Sequence, residues 1–154
     1  MNVDYTTIAQ GSNSGYQSAG QMVIDNSEQW NDLWQQHTSN TEPPPPVPQV
    51  DFTRYSVVAV FAGEQPTGGY SVEILSVETS GSQTQKQLAI TVQHRQPSAE
   101  DFVTEALTYP YHMIRILRID GRVVFKKFNQ VPGSLNITVT RSQFNTDQQQ
   151  QQKS

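Results

Sequence analysis

Residues 57–74 read VVAVFAGEQPTGGYSVEI, and they divide into a strand, a turn and a second strand. Val57-Val58-Ala59-Val60-Phe61 is apolar at every position, the pattern of a central strand covered on both faces. Tyr70-Ser71-Val72-Glu73-Ile74 alternates, the pattern of a strand with one buried face. Between them Pro66 fixes φ, while Gly68 and Gly69 admit conformations closed to other residues. Pro66-Thr67-Gly68-Gly69-Tyr70 therefore either closes a tight hairpin with a structural tyrosine or presents a pre-ordered loop to a partner. A rigid Gly/Pro turn loses little entropy on binding, and tyrosine is favoured at interfaces.

The flanking sequence extends the β pattern. Leu88-Ala89-Ile90-Thr91-Val92 alternates, as does Leu135-Asn136-Ile137-Thr138-Val139, the expected last strand. Met113 to Ile119 and Arg122 to Phe128 flank Asp120-Gly121, a strong hairpin signal because type I′ turns need positive φ at both positions. In that register Ile116 faces Phe125, Leu117 faces Val124, and Arg115 faces Lys126 as an unfavourable like-charge pair. Toward the N-terminus, Tyr5-Thr6-Thr7-Ile8 and Gln21-Met22-Val23-Ile24 are short extended segments around a Gly/Ser/Asn-rich loop.

One helix interrupts the strands. In SEQWNDLWQQH, residues 27–37, Trp30, Leu33 and Trp34 share a face. Asn26 caps it, with Gln29 three residues on, and Glu28 and Asp32 complement the dipole. PPPPVP at 43–48 predicts a stiff polyproline II connector. The expected fold is mainly β, an antiparallel sheet, sandwich or partly open barrel with one short packed helix. Residues 1–144 are expected to form a single domain, and 145–154 a disordered Gln-rich tail.

Composition narrows the functions. Of 154 residues 34% are hydrophobic, with a net charge of −4; the mean hydropathy is −0.59. An acidic balance argues against a general nucleic-acid or anionic-membrane binder. Arg115, Arg118, Arg122, Lys126 and Lys127 nevertheless make up half of the ten basic residues, and an acidic partner surface could dock on them. With no cysteine, thiolate metal sites and disulfides are excluded. No stretch approaches the roughly 20 apolar residues of a membrane span. As written the chain is expected to be cytoplasmic, and exported if a leader has been removed.

Catalytic patterns are missing. His37, His94 and His112 lack metal-ligand spacing. Gly11-Ser12-Asn13-Ser14-Gly15 has Asn where a nucleophile elbow needs Ser. Gly63 to Gly69 has the glycine spacing of a phosphate loop, but no Lys-Ser/Thr and no helix follows. Glu100 and Asp101 are adjacent in a polar loop with no nucleophile to serve. The expectation is a non-enzymatic chain without cofactor or metal. A second recognition candidate is the long segment Gln96 to Pro110, whose end, Leu107-Thr108-Tyr109-Pro110-Tyr111, is aromatic.

These elements in order resemble a known family. Ser14-Gly15-Tyr16 precedes Val23-Ile24, Glu28-Gln29-Trp30 and Leu33-Trp34, followed by Val50-Asp51-Phe52. Val57 to Gly63 then leads into Pro66-Thr67-Gly68-Gly69-Tyr70-Ser71-Val72-Glu73-Ile74, and Pro110-Tyr111-His112-Met113-Ile114 follows Pro97. The series, over roughly residues 5–119, resembles the C-terminal domain of the protease-complex subunit PrcB family. That resemblance implies a small β domain without catalysis, acting as an accessory or stabilising subunit of a protease-associated complex. A weaker likeness ties Pro66 to Tyr70 to the loop of chagasin-type cysteine-protease inhibitors, with Gln65 in place of Asn and Gly68 in place of the second Thr. It implies direct inhibition through residues 65–70 as the alternative.

Overall fold

The computed structural model describes residues 1–82, 84–118 and 120–128, and the backbone of Val139–Arg141. The elements are β1 (Tyr5–Gly11), β2 (Gly20–Ile24), α1 (Ser27–His37), β3 (Tyr55–Phe61), β4 (Ser71–Gly81), β5 (Lys86–Arg95), β6 (Tyr111–Leu117), β7 (Arg122–Phe128) and β8 (Val139–Arg141). They build two four-stranded sheets, ordered β1-β6-β3-β2 and β4-β5-β7-β8. The fold is a mainly β sandwich with one helix on an outer face, not a closed barrel.

The two-sided burial expected of Val57–Phe61 follows from three layers. Val58 and Val60, with Ile114 and Ile116 of β6, point into the sandwich against Val72, Ile74, Ile90 and Phe125. Val57, Ala59, Phe61 and Met113 point the other way, against Trp30, Leu33 and Trp34 of α1. The helix has the predicted limits, and the Asn26 side chain accepts from Gln29 N–H at 2.8 Å. Residues 43–48 carry neither helix nor strand. Their carbonyls hold the helix: Trp30 Nε1–H donates to Pro48 O and Trp34 Nε1–H to Pro45 O, both at 2.9 Å.

Two local expectations are overturned. Asp120-Gly121 does not close a hairpin, because β6 lies in one sheet and β7 in the other. β7 instead runs parallel to β5, pairing Leu88 with Val123 and Ile90 with Phe125. Alternation fixes only which face of a strand is buried. Ile114, Ile116 and Phe125 satisfy it equally by meeting face to face across the core. Gly121, at φ +133°, passes so close to β5 that an added Cβ would lie 2.5 Å from Lys86 O. Arg115 therefore faces Thr6 and Val57, and Lys126 faces Thr91, so the predicted like-charge pair does not form. Pro66 to Tyr70 is likewise no hairpin turn. It is an arch that carries the chain from β3 in one sheet to β4 in the other.

His112 ties the sheets together. It is buried on β6, and its Nδ1 accepts the Ile74 N–H of β4 at 2.9 Å. That bond makes Nδ1 the acceptor of a neutral ring, so Nε2–H donates to Thr7 Oγ1, also at 2.9 Å. Among the described residues no helix is long and apolar enough to cross a membrane. The expected strand at 135–139 reaches the described residues only at Val139, which opens β8. Its remainder, the domain limit at 144 and the tail at 145–154 lie outside them.

Candidate protein-binding site at one end of the sandwich

The arch after β3 and the long loop after β5 emerge at the same end and are bonded together. Gln65 and Thr108 exchange backbone hydrogen bonds, Gln65 N–H to Thr108 O at 2.8 Å and Thr108 N–H to Gln65 O at 3.0 Å. Thr108 Oγ1 donates to Thr67 O at 2.8 Å. Gly68 N–H donates to Thr104 O at 2.9 Å. The two glycines make this approach possible. A Cβ on Gly68 would lie 2.5 Å from Thr104 Oγ1. One on Gly69 would lie 2.8 Å from Pro97 Cβ and 2.9 Å from Val103 Cγ1, at a φ of +88° that disfavours any side chain.

A third segment joins them. Tyr109 N–H donates to Ser12 O at 2.7 Å, and Ser14 N–H donates to Tyr109 O at 3.1 Å. Ser14 Oγ contacts His37 Nδ1 at 2.7 Å and accepts Tyr16 N–H at 3.0 Å. The His37 ring packs edge-on against Tyr111, centroids 4.3 Å apart, and at a tilt against Trp34, centroids 5.1 Å apart. Burial pushes the His37 imidazole down to about 4. Ser14 is fully buried, so this Ser–His contact anchors the loop to the helix end and reaches no surface.

The arch and the long loop present apolar groups to solvent. Phe102 is fully exposed and Leu107 is 53% exposed. A turn sets Phe102: Ser98 N–H donates to Asp101 Oδ2 at 2.8 Å, and Asp101 N–H to Ser98 O at 3.1 Å. Pro66 and Gly69 are exposed, Thr67, Gly68 and Tyr70 are partly covered, and Pro110 is buried beneath them. Glu64, Glu100, Asp101 and Glu105 are also exposed, which makes the rim acidic. Glu64 accepts from Tyr109 OH at 2.8 Å, a bond that holds the phenol's proton and raises its pKa. Phe102 lies within the recognition candidate Gln96–Pro110, whose sequence reading singles out only its aromatic end at Leu107–Tyr111. Its signal is a lone aromatic inside the polar run QPSAEDFVTEA, residues 96–106.

The five cations between Arg115 and Lys127 do not share one patch. Arg115 and Arg118 line a cleft at the opposite end of the sandwich. Lys126 and Lys127 line a smaller one beside His94, and Arg122 lines neither. Arg118 Nη1 donates to Asp25 O at 3.1 Å and to Phe52 O at 2.7 Å. Among the described residues no group of three or more His, Asp or Glu could hold a metal ion.

Fold and site thus describe a helix-backed β sandwich with a built loop surface at one end. The family model described as PrcB C-terminal matches residues 56–116, and the resemblance to that family is shown over this stretch. It runs from β3 to β6 and holds both loops of the site, including the Pro-Thr-Gly-Gly-Tyr and Pro-Tyr motifs. The motifs from Ser14 to Phe52 precede it. No curated protein and no solved structure matches the chain.

Proposed function

We propose that the chain is a non-catalytic protein-binding module, an accessory subunit of a protease-associated complex, and that the arch 62–70 and the loop 96–110 are its docking surface. One observation carries the proposal: a fully exposed phenylalanine, Phe102, stands on a loop whose backbone is fixed by hydrogen bonds. A solvent-exposed aromatic on an ordered loop has the form of an interface anchor, since hot spots are large side chains that fill a partner's pocket at little ordering cost. Leu107, exposed on the same loop, adds apolar surface, and the exposed carboxylates ask for a partner with an apolar pocket bordered by Lys or Arg. Association with a protease complex is supported by the PrcB C-terminal match over both loops.

Purification of the native assembly from cells that make the protein tests this. Wild-type chain is expected to co-purify with a stoichiometric protein partner, and Phe102→Ala to lose it while folding normally. A wild-type chain that purifies alone, with no partner retained by crosslinking, would contradict the proposal.

A further inference from the structure

The opposite end of the sandwich carries a second site of different chemistry. A cleft of about 860 Å³ opens there. Arg54, Lys86, Arg115 and Arg118 line it, and Asp4 is the sole carboxylate among its lining residues. Four of the chain's ten basic residues thus meet on one surface of a molecule whose net charge is −4. Sequence spacing hides this set, because Arg54 and Lys86 come from distant segments and join Arg115 and Arg118 only through the fold.

The Arg54 and Arg115 guanidinium groups lie over one aromatic ring, while Arg118 is held by the Asp25 and Phe52 carbonyls. The Arg115 guanidinium carbon lies 4.2 Å from the Tyr55 ring centroid, and that of Arg54 lies 5.4 Å from it. Among the described residues neither makes an ion pair; Asp51 is held ionised first by the Thr53 hydroxyl and N–H and only lastly by the Arg54 charge. A cation–π contact of this kind attracts the guanidinium without consuming its N–H donors, which stay available to a bidentate acceptor. A carboxylate fits that fork geometry. Leu117, 54% exposed on the same wall, adds an apolar patch beside the cations.

We infer that this cleft binds an acidic peptide segment, Glu/Asp side chains pairing with Arg54 and Arg115 across the Tyr55 ring and an apolar side chain resting on Leu117. A cleft this open suits an extended segment better than an enclosed small molecule. The site is independent of Phe102, which stands at the other end of the sandwich.

The test is a titration of the full chain with the blocked peptide Glu-Glu-Leu-Glu-Glu, followed by amide chemical shifts. Saturable shifts are expected at Thr6, Tyr55, Arg115 and Leu117, weakened by added salt, unchanged in Phe102→Ala, and roughly tenfold weaker in R54Q/R115Q. Thermal unfolding checks that the double variant folds. Should it not, R54Q/K86Q repeats the test with two exposed positions. Absence of saturable shifts would overturn the inference. So would equal shifts from inorganic phosphate or from Lys-Lys-Leu-Lys-Lys, or binding that survives in the folded variant.

Discussion

At the scale of single residues, the site depends on what is absent from Gly68 and Gly69. Both stand where the arch touches the long loop, and any Cβ would collide with Thr104, Pro97 or Val103. Gly69→Ala adds a left-handed residue to that clash and should cost about 1–3 kcal/mol, read as a lowered melting temperature. Phe102→Ala removes only an exposed ring, so stability should stay within about 0.5 kcal/mol of wild type while partner binding weakens by about 2 kcal/mol or more. His37 and His112 give a pH signature. Burial depresses both, His37 to about 4, whereas the unfolded chain titrates near about 6.5. Below that value the unfolded state takes up protons that the fold refuses. Stability is therefore whole above it and falls as pH drops toward 4, by at most about 1.4 kcal/mol per pH unit per histidine. Melting curves across that range should show the fall, and His37→Gln should flatten it. A slope unchanged in the variant would exclude His37 as its source.

At the scale of elements, the helix and the central strand were legible because each pattern has one structural solution. Trp30, Leu33 and Trp34 can share a buried face only on a helix, and Val57–Phe61 is apolar throughout only if covered twice. Trp30→Ala should cost about 3–5 kcal/mol, measurable by urea unfolding, since the indole is fully packed and its N–H bonded to Pro48. The partner of β7 was not legible. Asp120-Gly121 suits a hairpin and a sheet-to-sheet crossing equally, and the choice is made by the open edge of β5, far away in sequence. Backbone proton contacts between Leu88 and Val123 would verify the parallel pair. The same crossing divided the basic residues. Their nearness in sequence promised one patch, and the fold sends Arg115 and Arg118 to one end and Lys126 and Lys127 toward the other.

At the scale of the whole molecule, the sandwich separates two surfaces of different chemistry. One end offers the bonded loops, exposed carboxylates and the exposed Phe102 and Leu107; the other offers Arg54 and Arg115 over the Tyr55 ring. The stretch that matches the PrcB C-terminal family, residues 56–116, contains both loops and the two middle strands of the helix-backed sheet. Two unlike ends suit contact with two partners, or with two parts of one, without motion. The loop end carries the central claim. The most direct measurement replaces Phe102 with a photo-crosslinking residue in cells that make the protein, beside a control at exposed Gln35 on the helix. A discrete adduct with one protein from position 102, absent from position 35 and lost when Gly69→Trp is added, is the expected result. Equal labelling from both positions, or an adduct that persists with Gly69→Trp, would contradict the account.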